Sequence, residues 1–220
     1  MRSVWWKLAA CALLLYTVVA GFLVPVPALA ILHESIRNLY FHVPMWFSLM
    51  IILTVSLIGS LLNLRNPEEK TDILASEAAR VSMLFGILGL LTGMIWARHT
   101  WGQWWVNDWK LNGAAITMLT YLAYFILRNS IDEEHKRARI SAVYNIFAYM
   151  MMLVFLMIIP RMFASLHPGN GGNPGFNSYD LDNNMKLVFW PAVLGWTLLA
   201  TWILSIRIRI RTIEKKIFTS

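Results

Sequence analysis

LYFHVPMWFSLMIILTVSLIGSLLNL, residues 39 to 64, contains no acidic residue, no lysine and no arginine. As a helix this run rises about 39 Å, more than the roughly 30 Å hydrocarbon core of a bilayer. The chain repeats the pattern. Five further apolar stretches, 8–31, 73–97, 112–128, 140–160 and 187–206, are each long enough to cross. Over 220 residues 58% are hydrophobic and 14% charged, with a mean hydropathy of +0.55, an apolar excess that no water-soluble core absorbs. The expected fold is all-α: a polytopic integral membrane protein of six transmembrane helices, forming a single domain over 1–220.

The first stretch has two readings. Arg2 and Lys7 precede an apolar run that ends in Ala28-Leu29-Ala30, a small-x-small site of the kind that signal peptidase cuts. The run is long for such a peptide, and Pro25 and Pro27 interrupt its end, so a retained helix is expected. Leu8-Ala9-Ala10-Cys11 looks like a lipoprotein box, but almost no apolar sequence precedes it. Cys11 is the single cysteine, which excludes an intramolecular disulfide and a thiolate metal cluster.

Orientation follows from the basic residues. Of 19 Lys and Arg, thirteen fall at 2–7, 65–70, 128–139 and 207–216, and five (Arg37, Arg98, Lys110, Arg161 and Lys186) fall on the opposite side, with Arg80 inside the third span. Positive charge accumulates on the cytoplasmic side, so both termini are expected there. The net charge of +7 then reports topology rather than a nucleic-acid surface. His33, His42, His99 and His167 fall on the outer side, whereas His135 sits in the solvated run 132–137.

Two outer segments stand out, 98–111 and the 161–186 loop. The first holds TWGQWWVNDWK, residues 100–110. Trp101, Trp104, Trp105, Asp108 and Trp109 recur at spacings of three and four, which on a helix would share one face. One reading is an interfacial aromatic belt. The other is a flat apolar platform for a ligand, with Gly102 allowing close approach to the backbone. His42, in Tyr40-Phe41-His42-Val43-Pro44, is expected near the outer start of span two, because proline favours the first turn of a helix. His167, in Ser165-Leu166-His167-Pro168-Gly169, lies beyond span five at the start of a Gly/Asn/Pro-rich loop, 168–175. Taken singly, each is an ordinary hydrogen-bonded histidine. Together, two imidazoles and an aromatic platform suit haem, with His42 and His167 as axial ligands and Arg37, Arg98, Lys110 or Arg161 as cations for the propionates. His33 and His99 have weaker context. Asp108 either caps a helix, fixes the platform through an N–H, or meets a partner.

Trp101-Gly102-Gln103-Trp104-Trp105-Val106-Asn107-Asp108-Trp109-Lys110-Leu111 resembles the WWD signature, W-G-x-W-W-x-W-D-x-R-L, of the haem-handling proteins of cytochrome c maturation (CcmC, CcmF and CcsA). The stretch Arg37-x-x-Tyr40-x-His42-Val43-Pro44 resembles the family's first histidine segment, and Leu166-His167 the second. Chain length and six spans are similar to the short CcmC type. Asn107 stands where the family has tryptophan, and Lys110 where it has arginine, which loses forked donor geometry. The resemblance implies non-covalent, transient b-type haem at the periplasmic face of the bacterial inner membrane. It further implies transfer to a CcmE-type haem chaperone, and an ABC-type complex in which CcmA and CcmB subunits use ATP. The chain itself, which has no nucleotide-binding motif, is then a transport subunit and not an enzyme. Rival readings are a membrane b-type cytochrome in electron transfer and a cofactor-free transporter. The first usually places its histidines within helices; the second would need buried charge, for which only Glu77 and Arg80 offer themselves.

Overall fold

The computed structural model describes residues 4–29, 31–167 and 181–218. Arg2, Ala30 of the small-x-small site and the 168–175 run lie outside the described residues. Helix α1 is Trp5–Leu23; a 3₁₀ turn, His33–Asn38, leads into α2, Leu39–Arg65; α3 is Glu69–Trp101 and α4 is Trp109–Asn129. Helix α5, Glu134–Leu153, continues through a π-helical stretch, Val154–Ile158, into the short α6, Ile159–Met162, and α7 is Asn183–Phe218. Six of the resulting helical segments are long and apolar enough to cross a membrane, and the described residues contain no strand.

Two helix boundaries differ from those expected. Helix α1 stops at Leu23, not near 31, because the residue before a proline is driven out of the helical region. Val24, which precedes Pro25, is extended at φ −68°, ψ 135°. Helix α7 runs to Phe218, well past 206, because its last turns are held by charge. Arg207 Nε meets Glu77 at 2.6 Å, and Lys215 Nζ meets Glu69 and Glu134, each at 3.1 Å.

Helices α2 and α3 form the centre, packed by Met45, Leu49, Ile52 and Leu53 against Ala78, Val81 and Phe85, with α4, α5 and α7 completing the core. Small polar groups knit this interior where no water is available. Ser56 donates to the Ala75 carbonyl at 2.6 Å, and the Asn145 amide reaches Ser56 and Ser60, both at 2.8 Å. Such bonds between helices contribute roughly 0.6 kcal/mol each in membrane proteins. Helix α1 lies antiparallel to α7, with Lys7 over the Trp202 ring, Leu13 against Gly195 and the Tyr16 hydroxyl donating to the Leu187 carbonyl.

The alternation of the spans gives the bundle two ends. One carries the starts of α1, α3 and α5, the end of α7, and the ion pair in which Arg128 grips Asp72 at 2.6 Å. The other carries the α1–α2, α3–α4 and α6–α7 connections, and with them the tryptophans, His42 and His167.

Candidate functional site

The tryptophan-rich segment is not one helix face. Gly102 ends α3 at φ 77°, with its N–H bonded to the Arg98 carbonyl at 3.2 Å, a left-handed cap that a residue with a Cβ adopts only under strain. Residues 103–108 are irregular, and Asp108 restarts the chain as the N-cap of α4, accepting from the Lys110 N–H at 2.9 Å. Trp101 therefore closes one helix, Trp109 opens the next, and Trp104 and Trp105 lie on the loop between them. The backbone angle alone calls for glycine at 102, and a Cβ there would meet no atom of the chain within 4 Å.

The loop leaves aromatic surface uncovered. Trp104, Trp105 and Trp109 are 55%, 37% and 45% exposed. Trp105 Nε1 donates to the Asn112 side chain at 3.2 Å, and the Asn112 amide donates to Asn107 at 2.8 Å. Asn107, at the position where a third motif tryptophan was expected, thus braces the loop with polar contacts. Trp109 stacks on Phe163, with centroids 4.6 Å apart and planes at 22°, and so ties α4 to the segment leading to His167.

Asp108 is the centre of this end. It is 4% exposed, and beyond its capping bond it accepts from the Ser165 hydroxyl and the Leu166 N–H, both at 2.8 Å, and from His167 Nδ1 at 2.9 Å. Burial pushes its carboxyl pKa up. That push is outweighed by the His167 and Ser165 hydrogen bonds, the charge of His167 and the Leu166 N–H, which hold the group well below the usual carboxylate range. An ionised carboxylate only accepts, so Nδ1 of His167 is the donor in this contact. The ring is steadied by Trp101, edge-on at 5.0 Å.

His42 shows the same logic with a different acceptor. It sits in the first turns of α2, and its Nδ1 donates to the Gly89 carbonyl at 3.0 Å and lies 3.2 Å from Thr92 Oγ1. The Thr92 hydroxyl gives its own hydrogen to the Leu88 carbonyl at 2.8 Å, so it too acts as acceptor. Among the described residues, Nε2 of His42 has no hydrogen-bond partner. Room for the ring comes from Gly93, where a Cβ would stand 2.7 Å from His42 Cε1. Trp46 and Trp96 pack edge-on against the ring, and Trp96 Nε1 donates to Ser35 in the 3₁₀ turn at 3.1 Å.

Both imidazoles rest on the last turns of α3, His42 on residues 89–96 and His167 on Trp101. Gly89, Thr92, Gly93 and Ser165 were missed from sequence. The signal for two of them was Gly89-x-x-x-Gly93, the small-residue spacing that lets membrane helices approach closely.

The cation candidates separate. Arg37 is committed to the fold: its Nη1 donates to the Gly21 and Val24 carbonyls at the end of α1, at 2.9 and 2.7 Å, and its Nε meets Glu34 at 2.6 Å. Arg161 donates to the Met157 carbonyl one turn back, at 2.6 Å. Arg98 bonds the Gly102 carbonyl from an exposed position, and Lys110 begins α4 beside Trp109. His33 and His99 are exposed. Among the described residues no group of three His, Cys, Asp or Glu gathers to hold a bare metal ion.

Fold and site together define a polytopic helical membrane protein with two oriented imidazoles and an exposed aromatic loop at one end of its bundle. The profile of the CcmC family, heme exporter protein C, matches residues 1–220, and the chain belongs to that family. It is 28% identical over 210 residues to the heme exporter protein C of Rhodobacter capsulatus, covering 93% of this chain and 84% of that one. A second heme exporter protein C, from Bradyrhizobium diazoefficiens, is 32% identical over 112 residues, 50% of this chain and 41% of its own length. A ccmC-like mitochondrial protein of Marchantia polymorpha, named for cytochrome c biosynthesis, is 34% identical over 90 residues, 40% of this chain and 39% of its own.

Proposed function

We propose that this chain binds haem at the outer face of the cytoplasmic membrane and hands it to a haem chaperone during cytochrome c biogenesis. The observation that carries this reading is the matched state of two histidines far apart in sequence. Each has Nδ1 committed to an acceptor, the Gly89 carbonyl for His42 and the Asp108 carboxylate for His167. Fixing Nδ1 orients each ring, the arrangement that protein shells use to direct imidazole ligands toward a metal. Family membership supports haem as the cargo.

Trp101, Trp104, Trp105 and Trp109 supply apolar surface for the porphyrin, and Arg98 and Lys110 are the cations for its propionates. Asp108 acts through His167 rather than on the haem itself. The binding is b-type, non-covalent and transient, because a delivery subunit must also release what it holds. The partners are a CcmE-type chaperone, which does the bond-forming chemistry, and CcmA/CcmB-type subunits that hydrolyse ATP. The chain is a transport subunit, not an enzyme, and the excess of Lys and Arg at the other end of the bundle supports a periplasmic position for the haem site.

The test is an absorption spectrum of the detergent-purified protein, before and after reconstitution with haem, beside His42→Ala/His167→Ala. A Soret band in the wild type that is abolished in the double variant is expected. A band unchanged by the double variant would overturn the assignment of ligands.

A further inference from the structure

We propose that the opposite end of the bundle carries a second site, one that binds a phosphate group. A cavity of about 370 Å³ opens there, lined by Arg80 of α3, Arg128 and Asn129 of α4, Asp132 before α5, Arg137 of α5 and Arg211 of α7. Four guanidiniums from four helices thus face one carboxylate. The acids that neutralise them do not line the cavity; they brace the arginines from outside it. Arg128 gives both terminal nitrogens to Asp72, at 2.7 and 2.6 Å. Arg80 lies 3.5 Å from Glu77 and over the Phe125 ring at 5.2 Å. Arg137 meets Glu134, and Arg211 meets Glu214, both at 3.1 Å.

Held along one edge, a guanidinium still has further N–H donors among its five. The side chains of Arg80 and Arg211 are 39% and 49% exposed, so those donors are reachable. Forked donors converging from several directions match the oxygens of a phosphate better than a single carboxylate or halide does. The cavity belongs to the end of the bundle where most of the basic residues cluster, the setting in which basic pockets between membrane helices take anionic lipid head groups. The shared chemistry is a phosphoryl oxyanion, supplied either by an anionic phospholipid or by soluble phosphate.

The experiment uses the full chain in detergent. Retention of added phosphatidic acid, against phosphatidylcholine, is read by native mass spectrometry, with and without millimolar inorganic phosphate, and phosphate binding alone is read by calorimetry. The variants are Arg80→Gln/Arg211→Gln and, with equal charge loss at exposed positions outside the cavity, Lys70→Gln/Lys216→Gln. Selective retention of phosphatidic acid, lowered at least fivefold by the arginine pair and not by the lysine pair, is expected if the source is lipid. Phosphate binding with the same variant pattern identifies a soluble source. Equal losses in both variants, or no preference for either phosphate-bearing probe, would overturn the proposal. The single Arg211→Gln, on the exposed face of α7, gives the same reading where the double variant fails to fold.

Discussion

At the end of the bundle where α3 begins, carboxylates meet guanidiniums and an ammonium: Asp72 with Arg128, Glu77 with Arg207 and Arg80, and Lys215 with Glu69 and Glu134. At the end where α3 finishes, the buried carboxylate of Asp108 meets a hydroxyl, two backbone N–H groups and an imidazole. Both arrangements satisfy a charge withdrawn from water. They differ in what remains afterwards. Ion pairs with arginine hold this end together and leave only the outer N–H donors of each guanidinium, which suit an anion. An imidazole held through one ring nitrogen has its orientation fixed, so the same hydrogen bond that holds the chain also sets the direction of the ring. The first kind of contact leaves only donors; the second fixes the direction of a ring.

Four variants sharpen or break this division. Asp72→Asn leaves Arg128 buried without its carboxylate, which costs about 3–5 kcal/mol. Thermal unfolding in detergent should show the loss, while the haem spectrum of protein still folded stays that of the wild type. A changed spectrum would mean that the two ends are coupled. Gly93→Ala reverses the pattern. Its Cβ would stand 2.7 Å from His42, and overpacking of this kind costs about 1–3 kcal/mol. The imidazole should be displaced and haem affinity should fall about thirtyfold with a shifted Soret maximum; an unaltered titration would show that His42 is not a ligand.

Asp108→Asn keeps a helix cap but removes the charge that orients His167. Affinity is expected to drop about tenfold, as when outer partners of metal ligands are removed. The carboxyl is held below its usual range, so its stabilising contribution is complete above the ordinary carboxylate value and is lost only as pH falls well below it. A deficit of the variant that stays constant in haem titrations from pH 8 to pH 6 agrees with that sign. One that appears only on acidification does not. Trp104→Ala/Trp105→Ala should have the smallest effect, a loss of about fivefold in haem affinity from reduced aromatic contact, with the melting temperature unchanged because both rings are exposed. Unchanged affinity would return these two indoles to an interfacial belt.

Much of the fold was legible because the membrane imposes a length rule. A run such as 39–64 needs no partner to be recognised as a crossing helix. Legibility failed where the deciding force was not hydropathy. Helix α1 was read too long because Pro25 acts on the backbone of Val24, and α7 too short because its last turns are held by Glu69, Glu77 and Glu134. At the candidate site, His42, His167 and the tryptophans were visible as types, but spacings of three and four suggested a continuous helix. Gly102 and Asp108, the stop and start signals, divide that segment in two.

By itself the sequence determined the class, the six crossing helices and the presence of imidazoles and indoles in the segments between them, because apolar length and residue chemistry are properties of the chain. Only the tertiary structure decided that Asp108 reaches His167, 59 residues away, and that Gly93 makes room for His42. Which nitrogen an imidazole commits depends on which acceptor stands beside it, and that neighbour is brought there by helix packing rather than by adjacency in sequence.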